Sequence, residues 1–393
     1  MVRPETAFGA DGPSILLRDD LAGTEMRFAT PRDVIRADHP DEIQDALDRM
    51  EYTRADGKWC AGYINYEAGY ALELKLRDIM PEGRRLPLVL MGVFDAPETG
   101  SVVTRTAGTA TLTDVRPEWS FEDYRPRFEQ VHQHLRTGNC YQANLTFPFS
   151  ACWQGDPTAL FEEMTARQPV RYAALVKLDG PIILSRSPEM FFEVDADGWI
   201  ETHPMKGTIR RGQTPETDAA LAETLRRDEK NRAKNLMIVD LLRNDISRIC
   251  ELGTLRVPEL FRIESYPTVQ QLVSRVRARL APGTTVSEIF TALFPCGSIT
   301  GAPKIRAMQI LRALERRPRN IYCGAIGFIA PSGQMRFNVA IRTLTLHAGG
   351  EAVFNVGGGI LFDSEVRSEY DECLLKARFA SGPDPKSCLR ADV

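Results

Sequence analysis

The chain has 393 residues, 43% hydrophobic and 26% charged, with a net charge of -4. A length of this order suggests two or three domains and suffices to bury a large core. No basic surplus points to nucleic acid, five histidines are too few for a histidine-built metal site, and eight cysteines include no C-x-x-C pair. Several cysteines lie in apolar runs and read as buried reduced thiols. The first residues contain no apolar h-region and no apolar run reaches membrane-spanning length, so the expectation is a cytoplasmic protein without a membrane partner.

In chain order, Ser14–Leu17 is a short strand candidate. Asp41–Met50 places Ile43, Ala46, Leu47 and Met50 on one helical face, and Trp59–Tyr66 and Leu88–Phe94 read as strands. Ser120, with Asp123 at the capping-box position, opens a helix whose apolar face is Tyr124, Phe128, Val131 and Leu135 and which Gly138 stops. His132 and His134 fall around that face and suit surface or capping roles. Gln142 and Asn144 then share one face of a strand-like stretch, where two amides either orient a polar ligand or satisfy backbone. Strands follow at Tyr172–Lys177, Ile182–Ser185 and Met190–Val194. Glu189, after Pro188 at the mouth of two of them, is either an acid–base group or an ordinary turn glutamate.

Glu201-Thr-His-Pro-Met-Lys-Gly-Thr-Ile-Arg-Arg-Gly212 pins Lys206 at a bend between Pro204 and Gly207. A lysine amine is a nucleophile once burial or a neighbouring cation strips its proton. Glu223–Ile249 reads as one long helical pattern, in which Asp240, Arg243, Asn244 and Asp245 fit an ion-pair cluster as well as chemistry. Gly297–Lys304 precedes a helix that starts at Pro303, and its backbone N–H groups suit a carboxylate. Tyr322–Ile329 and Arg336–Leu346 form a hairpin about Pro331-Ser-Gly, with Arg342 in mid-strand and in need of an anion. Gly357, Gly358 and Gly359 let a backbone approach a ligand closely. On the last helix, Ser364–Arg378, Glu369 and Glu372 stack at i and i+3, a metal carboxylate pair or two solvated acids. The segment from Gly382 onward reads as a loose tail.

Eight ordered stretches carry a resemblance: Gly138–Thr146, Ser185–Val194, Thr202–Gly212, Asp228–Arg248, Cys296–Lys304, Tyr322–Phe328, Phe337–Thr343 and Gly357–Phe379. Together they resemble the chorismate-utilising enzymes, a family that includes anthranilate synthase and aminodeoxychorismate synthase component I. The resemblance implies one large α+β domain over 1–393, two stacked antiparallel sheets flanked by helices. Within it, 1–118 is a variable N-terminal part, 119–380 the chorismate-binding part and 381–393 a tail. Within the family a lysine in Pro-x-Lys-Gly-Thr marks the aminodeoxychorismate branch and an alanine the anthranilate branch; this chain reads Pro204-Met-Lys-Gly-Thr208. Water-adding relatives carry a lysine where this chain has Gln142.

The resemblance implies Lys206 as nucleophile and Glu189 as proton-transfer group. Arg342, Tyr322, Gly357, Gly358 and Gly359 would hold the enolpyruvyl carboxylate, with Gly207 and Thr208 at the ring and Gln142 and Thr300 completing the substrate site. Glu372 and Glu369 would face Mg²⁺. Implied partners are chorismate, ammonia, a glutaminase subunit to supply it, and a downstream aminodeoxychorismate lyase. The chain departs from the family at Arg232-Ala-Lys-Asn-Leu-Met237, where Lys234 replaces a metal-binding glutamate. Three expectations follow: the metal is lost or held differently, Lys234 pairs with Glu372 in its place, or the chain is a catalytically impaired chorismate-binding subunit. Val366 replaces a proline. Gln168-Pro-Val-Arg-Tyr172 and Leu16-Leu-Arg-Asp19 depart from the tryptophan-site patterns of feedback-regulated relatives, so tryptophan binding gains no support.

Overall fold

Neighbouring residues of the central strands pack into different cores. In Ser14–Asp19, Ile15 joins one hydrophobic cluster and Leu16 another; in Tyr172–Lys177, Ala174 and Val176 join the first, Ala173 and Leu175 the second. This is period-2 alternation in strands covered on both faces, which is why they read as unbroken apolar runs. In the computed structural model, which describes residues 12–104, 108–266 and 269–382, these strands belong to two stacked ten-stranded antiparallel sheets.

From edge to edge the first sheet runs Gly301–Ala302, Gln142–Gly155, Glu351–Ile360, Thr343–Leu346, Ile182–Ser187, Tyr172–Lys177, Ser14–Asp19, Thr24–Ala29 and Glu98–Ser101, with Ala110–Pro117 also on Gln142–Gly155. The second runs Met205–Arg210, Val269–Arg279, Trp199–Thr202, Met190–Val194, Met335–Val339, Ala325–Ile329, Trp59–Ile64, Val89–Phe94 and Asp33–Ala37, with Arg256–Ser265 also on Val269–Arg279. One apolar cluster (Ile15, Phe28, Tyr63, Phe94, Ile183, Phe328) fills the space between the sheets, and two larger ones join their outer faces to helices. The α+β architecture expected from the sequence is therefore present, with N-terminal strands knitted into both sheets.

The helix Phe121–Arg136 follows its local signals. Ser120 and Asp123 form the reciprocal capping box, and Tyr124, Phe128, Val131 and Leu135 are buried. Each such side chain contributes about 1.5–3 kcal/mol of burial. Two long patterns divide where the sequence reading ran them together. Glu223–Ile249 is two helices, Pro215–Arg227 and Glu229–Ser247, because the Asp228 side chain accepts from Asn231 N and caps a new start. Arg336–Leu346 is two strands in different sheets, Met335–Val339 and Thr343–Leu346. Pro303 caps rather than begins its helix, Lys304–Glu315. The last helix runs Val366–Ser381, three residues beyond the expected end, and the tail after Gly382 lies outside the described residues. Of the described cysteines, all free, Cys152 is exposed and Cys250 half-buried, unlike the buried thiols expected. No described helix is long and apolar enough to cross a membrane.

Glu67 is wholly buried beneath this framework; its Oε1 accepts from Arg319 N at 2.7 Å, and its Oε2 has no partner among the described residues. Burial pushes its carboxyl up to about 7 from 4.5. An acid whose pKa is raised on folding binds more protons in the folded state, so stability declines as pH climbs from 4.5 to 7. The loss is on the order of 3 kcal/mol at higher pH. Thermal unfolding across that window should show the decline in the parent chain and a flatter profile in Glu67→Gln; parallel profiles would refute the assignment.

Candidate functional site

Two adjacent antiparallel chain segments pass from one sheet to the other side by side. Ile182–Ser187 pairs with Thr343–Leu346 in the first sheet, and Met190–Val194 with Met335–Val339 in the second. The crossings are Pro188-Glu189 and Ala340-Ile341-Arg342. Three hydrogen bonds hold them in register: Val339 N to Glu189 O at 3.0 Å, Ser187 Oγ to Val339 O at 2.6 Å, and Arg186 N to Arg342 O at 2.9 Å. Glu189 and Arg342 thus sit at the same seam and interact electrostatically. Arg342 is not in mid-strand. It takes φ 51°, a conformation costly for a residue with a side chain, because the backbone must turn out of one sheet into the next. Burial lowers its pKa from the usual arginine value, opposed by Glu189.

Lys206 lies in Met205–Arg210 at a β-bulge, where pairing with Val269–Arg279 slips between Met205 and Thr208. A bulge re-aims a side chain that regular alternation would send elsewhere. Gly207 supplies the left-handed turn (φ 91°), and a Cβ there would lie 2.9 Å from the Asn231 side chain. Lys206 Nζ donates to Ser298 O at 3.2 Å, while Ser298 Oγ donates to Glu189 Oε1 at 2.7 Å. One residue therefore touches both candidate catalytic groups. Burial lowers the Lys206 pKa below 10.5; Lys376 and Lys234 push the same way, against Glu189 and Cys296. Cys296 Sγ lies 3.2 Å from Ser298 Oγ, and burial lifts this thiol to about 11, so it stays protonated.

The remaining expected residues border more than one space. Gln142 is buried, its Nε2 without a partner among the described residues, and a Cβ at Gly359 would lie 3.1 Å from its amide. Gly357, Gly358 and Gly359 lie in the strand Glu351–Ile360, and a Cβ at Gly358 would come within 2.9 Å of Glu369 Oε2. Thr300 is wholly buried, its hydroxyl donating to Cys296 O at 3.1 Å. The amides expected free around it are partly used, because Gly301–Ala302 pairs with Gln142 and Ala143. Tyr322 interacts with Arg342 but borders a different cavity of 330 Å³, with Arg319 and Thr343. The main cleft, 630 Å³, takes in Pro188, Thr208, Arg342, Glu372 and Lys376.

Glu369 and Glu372 face this region from the last helix, but they are engaged. Glu372 pairs with Lys376 at 2.7 Å, not with Lys234, and Glu369 Oε1 accepts from Ser364 Oγ at 2.6 Å. Lys376 also donates to Gly357 O at 2.8 Å. Burial raises the Glu369 carboxyl; in Glu372 the same burial is outweighed by Lys376, Lys234 and Lys206, and the net direction is down. Among the described residues no three His, Cys, Asp or Glu side chains are placed to hold a metal ion. Mg²⁺ keeps most of its waters and needs only one or two carboxylates, but here both are engaged and two ammonium groups beside them would repel it, so the set does not fit. The cluster at 240–245 resolves into an exposed Asp240–Arg243 pair and a buried Asp245–Lys304 pair at 2.8 Å.

Sequence reasoning missed Ser298 and Lys376. Lys376 had a visible signal, four residues after Glu372 on one helix. Ser298 had none, because its role depends on a turn that brings residue 298 against residues 189 and 206.

The family described as chorismate binding enzyme matches residues 101–382. Among curated relatives, aminodeoxychorismate synthase component 1 of Klebsiella aerogenes is 45% identical over 69% of this chain and 60% of its own length. The protein of the same name from Escherichia coli is 43% identical over 91% of this chain and 83% of its own. The chain thus spans less than two thirds of the Klebsiella relative. Among solved structures, anthranilate synthase component I from Streptococcus pneumoniae superposes with a TM-score of 0.79 at 25% identity, covering 94% of this chain and 92% of that one.

Two measurements test this geometry. A lowered Lys206 pKa leaves more neutral amine at a given pH, so pH-dependent acylation read by peptide mass spectrometry should show Lys206 titrating below the 10.5 of a free lysine. Lys376→Met removes a like charge and should move that midpoint upward; an unmoved or lower midpoint refutes the coupling. Gly207→Ala should lower stability by about 1–2 kcal/mol in denaturant titration, since both φ and Asn231 oppose a Cβ.

Proposed function

Because this chain belongs to the chorismate-binding enzymes, we propose that it aminates chorismate at ring C4, giving 4-amino-4-deoxychorismate, as component I of an aminodeoxychorismate synthase. The observation that carries this reading is Lys206, aimed by the bulge at Ser298 and Glu189 with its proton weakly held. Neutral Lys206 attacks ring C2, the double bonds shift, and the 4-hydroxyl leaves. Ammonia then adds at C4, the double bonds shift back, and the lysine departs. One difficult substitution becomes two easier ones through a covalent intermediate.

Glu189 delivers the proton that the departing hydroxyl needs, held in place by the Ser298 hydroxyl. Arg342 pairs with the enolpyruvyl carboxylate, the Gly357, Gly358 and Gly359 backbone lines that end, and Gln142 offers its free N–H; Tyr322, which borders the other cavity, acts through Arg342. Gly207 and Thr208 border the ring. No step is assigned to a metal, given the donor set. Since this chain as described provides no source of ammonia, we assign that to a glutaminase partner, in keeping with the "component 1" in the relatives' names. The product keeps its enolpyruvyl group, so a separate lyase would complete 4-aminobenzoate for folate synthesis, in the cytoplasm. An anthranilate synthase is disfavoured, because a tethered amine at residue 206 has no use in amination at C2.

Incubation with chorismate and ammonium salt, followed by mass spectrometry, should give an aminated product that retains the enolpyruvyl group. Release of pyruvate with anthranilate would overturn the proposal. Lys206→Ala should reduce turnover by roughly 10³-fold or more. Without ammonia, intact-protein mass should reveal an adduct on the parent chain that is absent from the variant.

A further inference from the structure

The charges around the cleft do not close on themselves. Lys376 is taken by Glu372 and the Gly357 carbonyl. Lys230 is taken by Asp363 at 2.5 Å, on the segment leading into the last helix. Besides Lys206 itself, Arg342 at the sheet crossing and Lys234 on the helix Glu229–Ser247 are half-buried cations with no ion pair among the described residues. Lys234 is one helical turn beyond Lys230 and shares its face, so it is directed toward the same last helix. The helix is locked over the strand that carries Lys206: Asn235 Nδ2 donates to Pro204 O at 3.0 Å, Asn235 Oδ1 accepts from Ser274 Oγ at 2.5 Å, and Asn231 packs on Gly207. Lys234 is close enough to Lys206, Glu369 and Glu372 to act on all three.

Unpartnered cations held half-buried are costly unless a ligand completes them. The proposed substrate is a dicarboxylate, and the site offers two cations outside any ion pair: Lys234, which acts on Lys206, and Arg342, which Glu189 influences from the same seam. The donor set that rejects a divalent ion is built around one of them. We propose that Lys234 takes the place of a divalent cation: its ammonium binds the ring carboxylate directly while Arg342 binds the enolpyruvyl carboxylate, and chorismate binding needs no Mg²⁺. Glu369 and Glu372, held by Ser364 and Lys376, balance the charge of the neighbouring lysines and act as no metal's ligands. This rests on chorismate being the substrate.

The test reads binding and not turnover, so it fails separately from the amination proposal. Chorismate affinity is measured by titration calorimetry in EDTA and in millimolar Mg²⁺, and Mn²⁺ binding by electron paramagnetic resonance. The full chain is expected to bind chorismate with affinities within about twofold in the two buffers and to bind no Mn²⁺ at this site. Lys234→Met should weaken chorismate binding at least tenfold with no recovery in Mg²⁺, and Lys234→Arg should restore most of it. Lys234→Glu should gain Mn²⁺ binding and make chorismate binding depend on the metal. Mn²⁺ binding by the parent chain, loss of its chorismate binding in EDTA, or unchanged affinity in Lys234→Met would each overturn the inference. Metal-independent binding without amination would instead leave it standing and sink the proposed reaction.

Discussion

The double crossing between the sheets is the constraint on which the site depends. Two antiparallel segments leave one sheet and enter the other together, and the seam is closed by backbone bonds at residues 186, 189, 339 and 342. The backbones of Glu189 and Arg342 are thereby fixed at one seam, close enough for their charges to interact without an ion pair. Backbone ladders on both sides resist displacement, which is what can keep Arg342 in a left-handed conformation worth roughly 1–3 kcal/mol of strain. Packing of the inter-sheet core and the two helix-covered outer faces keeps this seam rigid.

Against that fixed seam the other reactive groups are placed by irregularities in otherwise regular elements. Lys206 owes its direction to a bulge, Ser298 to a short 3₁₀ turn, and the glycines at 357–359 to the need for side chains to close over a strand. The electrostatics follow from the same crowding. Burial sets the direction for Lys206, Arg342 and Glu369, whereas at Glu372 the neighbouring lysines reverse it. A cleft with cations left over is a poor arrangement for stability and a good one for gripping a dianion, the usual sign that a ligand is part of the design.

Much of this was legible from local pattern. The helix at 121–136, its cap and all four of its buried side chains followed from spacing alone, as did the strands at 59–64, 89–94, 172–177 and 190–194. Lys206, Glu189, Gln142 and Arg342 stand out by residue type and local context, and the family resemblance joins them. The errors share one origin. Reading 336–346 as one strand failed because a change of sheet leaves apolar alternation intact while the hydrogen-bond partner changes. Reading 223–249 as one helix failed because Asp228 terminates and restarts it within the same charged pattern.

The sequence by itself determined which elements form, which faces they bury, and which residue types were on hand for chemistry, since each is set by a few neighbouring residues and short-range periodicity. Only the tertiary structure decided the company those residues keep. That Ser298 touches both Lys206 and Glu189, that Glu372 is claimed by Lys376 rather than Lys234, and that Lys234 and Arg342 have no ion pair among the described residues all depend on distances between distant segments. Burial and Coulomb interactions act through space, and the order of residues along the chain does not record them.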